Sequence, residues 1–312
     1  VDSTVQEKAI AFPTDSRLLD VARRKLVLIA KRSGVVLRQT FEKEGRSLKR
    51  RAGGYAHAKQ YRRLRRVLKR QRTILGRVMR DLERRLPTLA DGMQEIATLW
   101  LERARRIHTQ RPKDKNKRYA LHAPEVECIG KGKARQPNKF GVKVGIATTE
   151  KGNLIVGARA FPGNPYDGHT LTEQIKQATI LMQEVQGAPT PHTAIVDLGY
   201  RGVEVPGVEI IHRGRIKSLS AKARRLLRRR HAVEPVIGHL KDDRGLWRNW
   251  LKGSEGDVLN PVLCAAGYNL LWLMRAIARL GLKALFALCV LVGMRRKLSS
   301  CRLANWATSW TI

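Results

Sequence analysis

The spacing of apolar residues changes twice along this chain, and that change limits the folds open to it. Leu64, Leu68, Leu75, Val78, Leu82 and Leu86 keep a three-to-four-residue rhythm, which Met93, Ile96, Trp100, Ala104 and Ile107 resume after Pro87. Residues 17 to about 110 therefore read as helices, with a break expected at Gly53-Gly54. From 119 to 212 the period falls to two. Val142, Val144 and Ile146 alternate in KFGVKVGIATT, and a Glu-Lys-Gly-Asn turn leads into NLIVGARAF, the pattern of a hairpin. A helix follows, lined by Leu171, Ile175, Ala178, Met182 and Val185, with Asp167 or Thr170 as its expected cap. TAIVD reads as a short buried strand ending at Asp197, and VEII at 208–211 as another. From 216 onward the chain is helical again, including an apolar helix from about Pro261 to Ala278. Leu282 to Met294 is too short to span a bilayer and reads as a further buried helix. Strands bracketed by helices predict an α/β fold with a mixed sheet.

Charge narrows the partners. The formal net charge is +36, with 43% hydrophobic residues, so the chain holds a core and is no disordered basic tail. Residues 16–118 carry 32 Lys and Arg against 9 Asp and Glu, which predicts a helical layer facing a polyanion. Cys128, Cys264, Cys289 and Cys301 are far apart and form no CxxC pair, which argues against zinc and fits a reducing cytosol; Cys264 and Cys289 read as packing residues. There is no signal-peptide pattern. The chain opens on Val-Asp-Ser-Thr without an initiator methionine, from which an upstream segment is expected.

Chemistry centres on RRRHAVEPVIGHLK, where Arg230, Glu234 and Lys241 are spaced R-x3-E-x6-K. On a helix they share one face within about half a quadrant. By spacing alone this is either a surface ion-pair face or a carboxylate among phosphate-holding cations. Pro235 disfavours helical angles at Glu234, so a kink or helix start is expected there. Asp197, at the carboxyl end of a strand, suits either a turn cap or a metal ligand. Tyr200 and Arg201 are candidate DNA contacts beside it. Trp247 and Trp250 could stack on a base, but core packing is the expectation. His231 and His239 flank Glu234; they, with His122, His169 and His212, are expected to be structural.

Four ordered motifs, VDSTVQEKAIAFPTDSRL, YALHAPEVECIGKGKARQPNKFGVKVGIATT, AIVDLGYRG and HAVEPVIGHLK, resemble the catalytic domain of bacterial insertion-sequence transposases of the DDE type, the IS-five group and its IS-four relatives. The resemblance implies an RNase H-like fold: a first strand in 1–15, a basic helical insertion at 16–118, the remaining core at 119–294 and a C-terminal tail at 295–312. It implies Asp2, Asp197 and Glu234 as a catalytic triad binding Mg2+ or Mn2+, three hard-oxygen ligands for metal-assisted attack at phosphorus. Arg230 and Lys241 would hold DNA phosphates. The family's Y-x2-R-x3-E-x6-K signature expects tyrosine where Leu227 stands. Implied partners are terminal-repeat and target DNA and a second copy in a homodimer, without a membrane, in the bacterial cytoplasm. Two other readings are a non-catalytic, decayed or domesticated DNA-binding transposase and a basic RNA-binding protein. With only Val1 before it, Asp2 is expected to be poorly fixed, on a strand short of pairing partners.

Overall fold

A computed structural model describes residues 1–130, 137–187, 189–214, 220–279 and 281. Leu282 to Met294, the 295–312 tail, Cys289 and Cys301 lie outside the described residues. A mixed sheet forms the centre. Strand β1 (Asp2–Lys8) runs antiparallel to β3 (Asn138–Thr148) in a register pairing Asp2 with Ile146 and Glu7 with Gly141. The other edge of β3 holds β2 (Glu127–Gly130) and β4 (Ile155–Phe161), both antiparallel. A short parallel strand, β7 (Arg248–Asn249), meets β1 at Glu7 and Lys8. A separate parallel pair, β5 (Thr193–Ile195) and β6 (Glu209–Ile211), approaches the start of β1, where the Val1 nitrogen donates to the Ile195 carbonyl at 2.8 Å. Asp2 therefore lies on an interior strand with partners on both edges, correcting the expectation that it would be poorly fixed.

Helices cover the sheet. α5 (Asp167–Met182) and α8 (Gly253–Arg279) both contact β4, and α7 (Val233–Asp242) turns Val233, Val236 and Leu240 onto Val142, Val144 and Ile146. Thr4, Val5, Gln6 and Lys8 of β1 are all buried, so polar side chains on this strand need internal partners. α8 supplies Asn260, from which Gln6 accepts at 2.8 Å, and Asp257, 2.9 Å from Lys8 Nζ; the turn before β2 adds Glu125 at 3.0 Å from the same Lys8 nitrogen. α8 has the length and hydropathy of a membrane span; it buries Pro261, Cys264 and Ala265 against the protein and leaves most of its apolar length exposed. Burial raises the Cys264 thiol to about 11, in keeping with a packing residue.

Between β1 and β2 stand four helices, α1 (Asp15–Arg32), α2 (Glu42–His57), α3 (Tyr61–Glu83) and α4 (Asp91–Thr109). Leu19 and Leu26 of α1, Leu75 and Leu82 of α3, and Leu101 of α4 share one core, leaving the arginines of α3 on the outer face. A 3-10 turn at Leu86–Thr88 breaks the chain at Pro87. The break expected at Gly53-Gly54 is absent, because α2 runs through both glycines. Packing of Leu48 and Ala52 on Val67 and Ile74 outweighs a cost of about 1 kcal/mol per glycine. Neither Asp167 nor Thr170 caps α5: Asp167 is its first residue, and the Thr170 hydroxyl donates to the Asp167 carbonyl.

Candidate active site

Three segments meet at one end of the sheet. β1 brings Asp2, and the turn after β5 brings Asp197. The junction between α6 (Ala221–Arg229) and α7 brings Arg230 and Glu234. Residues 230–232 form a 3-10 turn between those helices, and Glu234 sits in the first turn of α7. Pro235 is tolerated there because a first-turn N–H has no intrahelical acceptor. The change of helix type leaves Arg230 and Glu234 together. Arg229 anchors the junction to the β3–β4 turn, donating to the Glu150 carbonyl at 2.7 Å.

Arg230 is the hub, its side chain only 8% exposed. Its guanidinium lies 3.0 Å from Asp197 Oδ2, 3.7 Å from Asp2 Oδ2 and 3.4 Å from Glu234 Oε1. Each aspartate spends its other oxygen on local backbone: Asp2 Oδ1 accepts from the Ser3 amide and Asp197 Oδ1 from the Leu198 amide, both at 2.8 Å. Asp197 thus fills the turn-cap role with Oδ1, while Oδ2 faces Arg230. Burial pushes the Asp2 carboxyl above the usual aspartate range, opposed by the Ser3 amide and the Arg230 charge. Glu234 also meets His231 Nδ1 at 3.3 Å, and His231 contacts Arg213.

The donor set has the chemistry of a divalent-ion site, with three hard-oxygen carboxylates facing one cationic point. Among the described residues no group of three His, Cys, Asp or Glu is close enough to hold an ion as the side chains stand; the three acids each face the Arg230 guanidinium instead. Arg230 Nε is buried with no hydrogen-bond partner among the described residues, so the arginine is not a fully satisfied bridge.

Other candidates are distributed differently. Lys241 lies on α7, seven residues past Glu234, and Arg201 is exposed beyond the Asp197 turn. Tyr200 is 1% exposed and packs with Leu171, Ile175 and Val196. A ring so enclosed cannot lie on DNA, which corrects the contact expected of it. Burial, then the nearby Asp167 and Asp2 carboxylates, push its phenol well above the ordinary tyrosine range. Asp167, read from sequence only as a cap, adjoins this region: it pairs with Lys143 at 3.0 Å and abuts Gly199. Its place in PYDGHTL, just before an apolar helix, looked like capping and masked that position. His239 pairs with Asp243 at 2.7 Å, His212 is buried, and His122 and His169 are exposed. The expectation that Trp247 and Trp250 pack in the core is wrong, since they are 50% and 74% exposed, under Lys139 and Arg248 respectively.

A mixed sheet flanked by helices, with two aspartates and a glutamate drawn to one point, defines an α/β protein with an acidic centre in a strongly basic chain. The family model described as "Transposase DDE domain" matches residues 104–270, more than half of the chain, and the chain belongs to that family of nucleotidyl-transferring enzymes. The match takes in Asp197, Arg230, Glu234 and Lys241, while Asp2 precedes it. A 61-residue stretch is 51% identical to "Uncharacterized protein ORF8 in nfe locus" from Rhizobium meliloti, covering 20% of this chain and 30% of that protein. The chain thus spans less than a third of that relative. No solved structure matches the chain.

Proposed function

We propose that this protein is a DNA transposase that cleaves insertion-sequence ends and transfers the strands, using Mg2+ or Mn2+ held by Asp2, Asp197 and Glu234. The observation that carries the reading is the convergence of those three carboxylates on one guanidinium, from positions up to 232 residues apart. The strand order β4–β3–β1, continued through Val1 to β5 and β6, supports an RNase H-like core in which α1–α4 form a basic insertion.

Bound ions would supply activation of the attacking oxygen and stabilisation of the leaving oxygen at phosphorus. The residues do the positioning. The Ser3 and Leu198 amides orient the two aspartates, and the first turn of α7 carries Glu234. Arg230 and Lys241 would hold strand phosphates, and Arg201, exposed beyond the Asp197 turn, would add a further phosphate contact. The basic faces of α1–α4 grip duplex DNA through phosphates and therefore weaken their hold as salt rises. The site of action is the bacterial cytoplasm, where the DNA lies.

The test is nicking of a terminal-repeat duplex with and without Mg2+. Wild type should cleave only with metal, and Glu234→Gln should lose cleavage by about a hundredfold or more while binding DNA as before. Equal cleavage by Glu234→Gln overturns the role given to that residue. A second reading, a DNA-binding protein without catalysis, is favoured by one observation: the acids are engaged by Arg230. Salt-dependent DNA binding by wild type with no cleavage in either metal selects it.

A further inference from the structure

A fourth segment reaches the candidate active site behind the three that bring the acids. β5 and β6 run parallel, so the residues leaving their carboxyl ends emerge side by side, Asp197 after β5 and Arg213 after β6. Arg213 meets Nε2 of His231, and Nδ1 of the same ring meets Oε1 of Glu234 at 3.3 Å. A guanidinium carries only donors, so the ring nitrogen that faces Arg213 accepts. An imidazole that accepts at Nε2 carries its proton on Nδ1, which makes the ring a donor to the carboxylate. The contacts thus run in one direction, from Arg213 through His231 to Glu234.

Glu234 needs such support more than the two aspartates do. Asp2 and Asp197 each rest one oxygen on a backbone amide, which moves only with the chain. The Glu234 side chain is longer and 55% exposed, and it is met by side chains, Arg230 Nη1 at 3.4 Å and His231 Nδ1 at 3.3 Å. Arg230 also faces Asp2 and Asp197, whereas His231 faces Glu234 alone of the three acids. Both donors fall on Oε1, so Oε2 is engaged by neither. A side chain that samples many rotamers loses that freedom on taking a ligand, and the loss weakens the ligand's hold. Hydrogen bonds that orient a metal-binding side chain limit this loss, and removing one typically lowers metal affinity about 10–100-fold.

We infer that His231 is a positioning residue, anchored by Arg213, that fixes the Glu234 carboxylate through Oε1 and leaves Oε2 to a divalent ion. The inference rests on the reading of Glu234 as a metal ligand. It is tested by Mn2+ binding to the full chain without DNA, followed by loss of the free ion's electron paramagnetic resonance signal. His231→Ala should raise the Mn2+ dissociation constant about tenfold, and His231→Asn, whose amide nitrogen can stand in for Nδ1, should recover most of the loss. Arg213→Met tests the anchor by the sign of its effect. Removing a positive charge near the site should by charge alone strengthen cation binding, whereas freeing the ring should weaken it. Combining His231→Ala with Arg213→Met should weaken binding no further than His231→Ala, because both act through one contact. His231 is half exposed, so melting temperatures in EDTA should stay within about 2 °C of wild type. If Glu234→Gln weakens Mn2+ binding while His231→Ala does not, or if His231→Asn recovers nothing, or if Arg213→Met binds more tightly, the inference is overturned and the ligand reading stands. If Glu234→Gln binds Mn2+ as wild type does, the ligand reading fails and the inference falls with it.

Discussion

Replacing Arg230 with methionine keeps most of the side-chain volume and removes the charge that three carboxylates share. At an effective dielectric near 20, a charge pair about 4 Å apart interacts by about 4 kcal/mol. That figure suits Asp2 best, since its side chain is 18% exposed and the Arg230 side chain 8%. Asp197 and Glu234 are 47% and 55% exposed, so water screens their pairs to about 0–1 kcal/mol each. After the desolvation that arginine burial costs, the net loss should be about 3 kcal/mol. For a chain of this size each kcal/mol moves the melting temperature by about 2 °C, giving a fall of roughly 6 °C in EDTA. A divalent ion at a hundredfold excess over its Kd should restore about 2.7 kcal/mol, because nothing competes for the carboxylates in the variant. Wild type should gain less, since the ion must first displace the guanidinium. Scanning calorimetry in EDTA, Mg2+ and Mn2+ measures all three quantities. If Arg230→Met melts identically with and without ions, the three acids do not form a shared metal site.

Asp2→Asn should abolish metal-dependent cleavage without lowering the melting temperature at neutral pH. The raised pKa of Asp2 means that the folded state favours its neutral form, so its stability contribution is greatest at low pH and is lost as pH rises through the folded value. A marked loss of stability in the variant at pH 7 would contradict this. For the same reason, the Mg2+ concentration needed for half-maximal cleavage should rise on acidification at pH values still above the ordinary aspartate range. Lys8→Met should cost about 3–5 kcal/mol by chemical denaturation, because it strands Asp257 and Glu125 without their shared cation. Gly141→Ala should destabilise by about 3 kcal/mol or more, since the new Cβ would lie 1.9 Å from the Gln6 carbonyl oxygen across the β1–β3 pair.

Element types could be read from sequence where a residue's own neighbours decide them. The two-residue alternation of Val142, Val144 and Ile146 marks a strand packed on one core, and Pro87 stops a helix by lacking an N–H. Gly53 and Gly54 misled because local propensity is weak beside the contact of α2 with α3. Tyr200 and the two tryptophans misled in opposite directions. Aromatic side chains are equally at home under a helix and on a cation-covered edge, and only the packing of α5 over Tyr200, and the position of residues 247–250 at the sheet margin, separates the two.

By itself the sequence determined the alternation of helix and strand, the excess positive charge and the chemical types of the acids. Those properties belong to residues and to short spacings. The tertiary structure decided that Asp2, Asp197 and Glu234 share one guanidinium, and that each aspartate turns one oxygen to backbone and the other to Arg230. Periodicity records how a residue is turned about its own element. What stands opposite it depends on which distant elements the core draws together.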